Sequence, residues 1–192
     1  MNKGRLEAFS DGVLAIIITI MVLELKAPHS ESIDSLIPLL PAFFSYLMSF
    51  VYLAIYWNNH HHMMTTVKQV NGSILWANMH LLFWLSLIPF STAWIGENHF
   101  ASVPMALYGV NLLMAAIAYY ILQGQILKKH GKDSQLAIAI GKDLKGKVSP
   151  VLYIMGIAST FINGWISGGI YILVALMWLI PDKRIERTLY NS

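Results

Sequence analysis

The sequence predicts an all-α integral membrane protein built from six transmembrane helices. Three observations carry this reading. Of the 192 residues, 56% are hydrophobic and only 12% are charged, about half the ~25% charged residues of a typical soluble domain. The charges gather between long apolar runs instead of spreading through them. The lysines and arginines also segregate to one side of the layout that those runs define. A soluble chain this apolar would lack the polar material to cover its surface, whereas lipid tails solvate apolar faces.

A spanning helix needs roughly 20 mostly apolar residues. The first candidate covers about 5–25, from Arg5 to Leu25, with Pro28 closing it. It lacks a small-residue cleavage site and is long enough to span, so it reads as a helix that stays rather than a leader that is removed. The second covers about 37–59 and opens with Pro38 and Pro41 in its first turns, where proline is tolerated. The third covers about 73–95, and Pro89 inside it predicts a kink. The fourth covers about 103–127. The fifth and sixth cover about 148–163 and 165–180. Asn163-Gly164 and Gly168-Gly169 are breakers in a run too long for one span, so these two form a tight hairpin stopped by Pro181-Asp182. The stretch 131–146 is the one extended polar segment, and residues 1–192 read as a single six-helix domain.

With six spans the loops alternate between sides of the membrane. Twelve lysines and arginines then fall on the amino-terminal side, and Lys26 alone falls on the other. Lysine and arginine are retained on the cytoplasmic side, so both termini are cytoplasmic. Removing or adding one span would scramble that segregation.

Several function classes lose support here. The chain has no cysteine, which excludes disulfides and thiolate metal sites. No basic surface interleaved with aromatics points to nucleic acid. There is no HExxH, no GxSxG and no intramembrane carboxylate pair, so nothing points to an enzyme. His60-His61-His62 looks like a metal cluster, but consecutive helical side chains diverge by about 100° and cannot converge on one ion. No cofactor or metal is expected beyond a permeant ion.

Chemistry concentrates in the first span. Asp11 is the anomaly, because an ionisable group in a membrane helix marks a functional site by default. Arg5, six residues earlier, is a candidate partner, and Ser10 a candidate hydrogen-bonding neighbour. At about 100° per residue, with Ile16 at zero, Thr19 falls near −60°, Ile20 near +40° and Leu23 near −20°. These four make one narrow stripe, and Asp11, near 220°, lies on the far side. Such a stripe is ordinarily packing or lipid contact, and the helix is too apolar all round for periodicity to choose its environment. Glu24 lies one residue beyond the stripe at the external end. In the third span, Trp76 and His80 share a helix face and are candidates for a polar network behind the first helix.

Arg5-xxx-Phe9-Ser10-Asp11, at the start of a first transmembrane helix, resembles the signature of the transmembrane protein 175 family of potassium channels. The second span's Trp57-Asn-Asn-His60, and Asn78 and Pro89-Phe90 of the third, are similar to that family's pattern. One six-span unit resembles the prokaryotic members. The resemblance implies a homotetramer with the first helices around a central pore, in the cell membrane, carrying potassium ions. It implies a hydrophobic constriction at Ile16, with Ile20 and Leu23 as further apolar rings, and a threonine layer at Thr19. Glu24 would sit at the pore mouth. Arg5, Phe9, Ser10 and Asp11 would be structural, tied to Trp57, His60 and Asn78. A constriction of alkyl groups offers an ion no ligands, unlike the TVGYG carbonyl filter, a sequence absent from this chain. The competing reading is a secondary cation transporter with Asp11 as the ion or proton site.

Overall fold

The computed structural model describes residues 2–131, 134, 136–137 and 143–179. Among these, the regular elements are all helical. Helix α1 (Lys3–Leu23) starts where the Asn2 side chain accepts a hydrogen bond from the Gly4 amide at 2.9 Å, an N-cap that satisfies one orphan donor. A 3-10 helix (Ile33–Leu39), capped by Ser32, runs directly into α2 (Leu40–Thr65). Helix α2 therefore continues past residue 59, where the sequence suggested an end. Nothing from His60 to Thr65 breaks a helix, and Thr65 and Thr66 bond their hydroxyls back to the carbonyls of His62 and Met63.

The kink at Pro89 is a full break. Helix α3 (Gly72–Ser86) stops, Leu87 intervenes, and α4 (Ile88–Glu97) begins again. Proline supplies no N–H and its ring clashes with the carbonyl four residues back. The Asn111 amide bridges the break. Oriented to satisfy both ends, it donates to the Trp84 carbonyl at 2.8 Å and accepts from the Ile88 amide at 3.2 Å and the Ser91 hydroxyl at 3.3 Å. A side-chain amide thus stands in for the peptide groups that the interrupted helix cannot supply.

Asn111 belongs to α5 (Ser102–His130), the longest helix. Leu112, Ala115, Ala118, Leu122 and Ile126 line its fully buried face. It ends at Gly131, whose φ of 87° suits glycine. Helix α5 packs against α3 and α4 on one side. On the other lie α6 (Leu144–Ser159) and α7 (Gly164–Leu179), the hairpin read from Asn163-Gly164. Tyr171 of α7 is wedged into this second group. A Cβ at Gly109 would overlap its hydroxyl, and one at Gly156 its ring edge. Tyr171 donates to the Met105 carbonyl at 3.3 Å, and Tyr52 of α2 donates to the Tyr171 carbonyl at 2.6 Å.

Among the described residues, four helical stretches are long and apolar enough to cross a membrane: Lys3–Leu23, Ile33–Thr65, Gly72–Glu97 and Ser102–His130. Helix α6 has 16 residues, about 24 Å at 1.5 Å per residue, somewhat less than the ~30 Å hydrocarbon core, and α7 covers 16 among the described residues. Helix α1 sits at the margin against α2, α3 and α4. It is 28% buried, against 22% for Ile33–Thr65 and 44% for each of the two stretches Gly72–Glu97 and Ser102–His130. Most of α1 therefore meets something other than its own chain.

Asn111→Leu keeps the branched shape but orphans the Ile88 amide and leaves the Trp84 carbonyl only its 3.3 Å bond from the Leu87 amide, at a cost of about 1–3 kcal/mol for an unsatisfied buried group. The expected outcome is a lower thermal midpoint in detergent. An unchanged midpoint would show that the break holds without its bridge.

Candidate functional site

Helix α1 divides cleanly into two faces. Leu6, Ser10, Leu14, Ile17 and Met21 are buried, at the three- and four-residue steps of one helix face. On the other side Ile16 is 60% exposed, Ile20 42% and Leu23 74%, and Thr19 is exposed with them. The stripe drawn from the sequence is thus the face that its own chain leaves bare. Phe9, half exposed, continues that face toward the amino terminus.

Ser10 marks the buried face and starts a hydrogen-bonded chain across three helices. Its hydroxyl donates to the Leu6 carbonyl at 2.9 Å and accepts from the Asn78 amide nitrogen at 2.9 Å. The Asn78 oxygen then accepts from His60 Nε2 at 2.7 Å, a direction fixed by the Asn78–Ser10 bond. Ser10 and Asn78 are fully buried and His60 nearly so. Asn71 caps α3, which sets the register that points Asn78 at α1.

Asp11 is one residue along and on a different side. It is exposed and accepts a hydrogen bond from Trp57 Nε1 at 3.0 Å. Trp57 in turn stacks on His61, with ring centroids 5.9 Å apart. Arg5 is exposed and makes no ion pair with Asp11; the ion pair among the described residues is Lys3 with Glu7, at 3.8 Å. The seven motif residues therefore form two separate connections, Ser10–Asn78–His60 and Asp11–Trp57, and Arg5 and Phe9 lie outside both. Lys3 was missed from sequence. It donates to the Thr65 carbonyl at 3.1 Å and ties the start of α1 to the end of α2.

Trp76 does not join the network either. It is 75% exposed, and His80 instead accepts from Trp84 Nε1 at 2.9 Å, one turn in the other direction. A second buried polar seam also escaped notice: the Ser49 hydroxyl is hydrogen-bonded to Thr92 at 2.6 Å and to Tyr108 at 3.0 Å. A hydroxyl in an apolar run signals such a seam without naming its partner.

Glu24 caps the end of α1. It lies at the outer end of a groove of about 580 Å³ between α1 and α4, with Glu97. Ile16 and Ile20 form part of the α1 wall of this groove, and Pro89 and Phe90 part of the α4 wall. Among the described residues no three histidines, cysteines or acids are placed to hold a metal.

Against known proteins, the family model described as "Endosomal/lysosomal potassium channel TMEM175" matches residues 5–89. A potassium channel of Chryseobacterium sp. (strain P1-3) is 61% identical over 192 residues, 100% of each chain. The chain belongs to the TMEM175 family. A potassium channel of Chamaesiphon minutus is 31% identical and covers 95% of this chain and 96% of its own. The crystal structure of a lysosomal potassium-selective channel TMEM175 homolog from the same organism superposes with a TM-score of 0.82 at 32% identity, covering 94% and 97% of the two chains. The TMEM175 match begins at Arg5 and ends at Pro89, so it takes in α1, the Trp57–His60 segment, Asn78 and the break before α4.

The buried chain orders two expected effects. Ser10→Ala removes one acceptor and is expected to cost about 1–3 kcal/mol, and Asn78→Leu strands both Ser10 and His60 and should cost more. Thermal melts of the two purified variants check the order; equal midpoints would show that the chain is not a continuous connection.

Proposed function

We propose that this chain is a potassium-selective, leak-type ion channel. Four copies surround a central pore lined by α1, and six spans cross the cell membrane, α3 and α4 together making one broken span, with both termini in the cytoplasm. The single observation that carries the reading is the face of α1. Ile16, Thr19, Ile20 and Leu23 are bare, while the opposite face is anchored by the Ser10–Asn78–His60 chain. A pore helix must be held on one side and exposed on the other. The relatives named above as potassium channels supply the ion, and the excess of twelve lysines and arginines over one supplies the orientation.

On this reading Ile16, Ile20 and Leu23 form hydrophobic rings that gate by dewetting and must widen to conduct. The rings supply no ligands, so Thr19 carries the polar part of the path. Its hydroxyl donates to the Ala15 carbonyl at 2.8 Å. The proton is committed to the backbone, and the oxygen lone pairs remain free to face a cation. Four such oxygens stabilise a partly dehydrated potassium ion at the narrowest stretch. Glu24, at the external end, raises the local cation concentration. Asp11, Ser10, Asn78 and His60 hold the helix and do not touch the ion. No cofactor takes part.

Reconstitution in liposomes with a potassium gradient tests the reading. The expected result is a current reversing near the potassium equilibrium potential, at rates above about a million ions per second, faster than an alternating-access cycle of microseconds to milliseconds allows. A saturable, slow flux would overturn it. Ile16→Asn should raise conductance and weaken selectivity, and Thr19→Val should lower the potassium-over-sodium preference. Bilayer recordings read both; unaltered currents in Ile16→Asn would remove Ile16 from the narrowest point, and an unchanged preference in Thr19→Val would remove Thr19 as the discriminator.

A further inference from the structure

The groove between α1 and α4 needs an occupant. Its volume of about 580 Å³ is many times the ~30 Å³ that one water occupies in the liquid, and apart from Ser86 its walls are mostly apolar away from the outer end. There Glu24 and Glu97 stand exposed, neither with an ion-pair partner among the described residues. Two carboxylates at the rim repel an anionic lipid headgroup and favour a cation arriving with the occupant.

The chain carries one candidate for that cation. Lys26 is the single lysine or arginine on the external side of the layout. It is exposed, pairs with nothing among the described residues, and lies two residues beyond Glu24, at the depth of the groove's outer end. The flank of α1 away from its own groove has the matching shape. With Ile16 at zero and about 100° per residue, Ala8, Ala15 and Val22 fall near −80°, −100° and −120°, whereas the groove-lining Val13 and Ile17 fall near +60° and +100°. Ala8, Ala15 and Val22 are exposed, and Gly12 beside them has open space where a Cβ would stand. Such a flank lets another helix approach closely.

We infer that this groove receives the Ala8–Ala15–Val22 flank of α1 from a second copy of the chain, running parallel, with the second copy's Lys26 against Glu24 and Glu97. The inference rests on the channel reading, in which several α1 helices meet, and adds which surfaces meet. The contact is heterologous, because flank and groove are different patches. Head-to-tail repetition about an axis then closes a ring, with Thr19 and Leu23 facing inward and Ile16 and Ile20 at the seam, where the groove wall meets the pore. The pore is incomplete without the neighbour, which supplies one wall beside every Ile16.

The absence of cysteine makes the test clean. Val22→Cys is combined with Ala93→Cys, a groove residue of α4, and membranes are treated with a short bis-maleimide. Within one chain the two positions face different ways, so bridging requires a neighbour. The expected result is loss of most of the monomer band and a ladder of covalent oligomers above the dimer, while each single variant stays monomeric. A dimer band alone, or no product from protein that still elutes at the size of the parent assembly, would overturn the inference. The charge pair gives a second reading. Lys26→Glu or Glu97→Lys alone should lower the assembled fraction, and the double exchange should restore it; no restoration counts against the pairing. Potassium flux of the parent, measured in the same membranes, separates the two readings. Flux without a ladder overturns this surface and leaves the channel; a ladder without flux keeps the surface and overturns the channel.

Discussion

A polar group inside a bilayer has no water to fall back on, and the rest of this structure depends on that constraint. Each unsatisfied backbone or side-chain polar atom costs several kcal/mol in hydrocarbon, so the buried polar side chains act as fixed connectors between helices. Asn78 joins α1, α2 and α3 through Ser10 and His60. Ser49, Thr92 and Tyr108 join α2, α4 and α5. Asn111 spans a break that would otherwise expose peptide groups. Apolar packing alone discriminates weakly between rotational settings of a greasy helix, because lipid is as good a neighbour as leucine. These connectors therefore set which way each helix faces.

Helix α1 shows the consequence. It is apolar nearly all round, so no hydrophobic stripe tells it how to rotate. Ser10 does. Once its hydroxyl meets Asn78, the Leu6–Leu14–Ile17–Met21 face turns inward and the Ile16–Leu23 face turns out. A rotation of one residue, about 100°, would place Ile17 where Ile16 is and bury the wrong side. The function proposed for the outward face thus rests on a buried serine that never meets an ion. The Ala8–Ala15–Val22 flank lies on a further exposed side of the same helix, and Glu24 closes its end.

Much of this was legible in the sequence, for reasons particular to each element. The runs of apolar residues gave the helices, and Pro89 and Asn163-Gly164 gave the break and the hairpin, because proline and glycine act locally. Helix α2 runs past the span end read near residue 59 because polarity rises at Trp57–His62 while helical hydrogen bonding continues, and polarity alone does not stop a helix. Asp11 drew attention as the intramembrane charge, yet in the chain it is exposed on Trp57, and its silent neighbour Ser10 makes the buried connection. Arg5, the natural guess for its partner, lies apart. Asn111 was overlooked because an asparagine in an apolar run gives no direction: its partner, the interrupted turn at Trp84–Ile88, lies about 25 residues away in sequence and adjoins it only after folding.

The proposed ion path raises a physical question that the geometry helps to answer. A ring of isoleucine methyls cannot replace the water around a potassium ion, so the ion must keep part of its shell or find oxygens nearby. Thr19 stands between Ile16 and Leu23 along the bare face and gives its proton to the Ala15 carbonyl. A threonine whose proton pointed into the pore would present a positive hydrogen to a cation and oppose it. Bonded back to its own helix, the hydroxyl offers lone pairs only, at no cost in unsatisfied backbone. Valine at this position would preserve shape and remove that oxygen, and serine would keep the oxygen but lose the methyl that helps hold the rotamer. Threonine is therefore the small side chain that combines an apolar wall with an acceptor held in one direction.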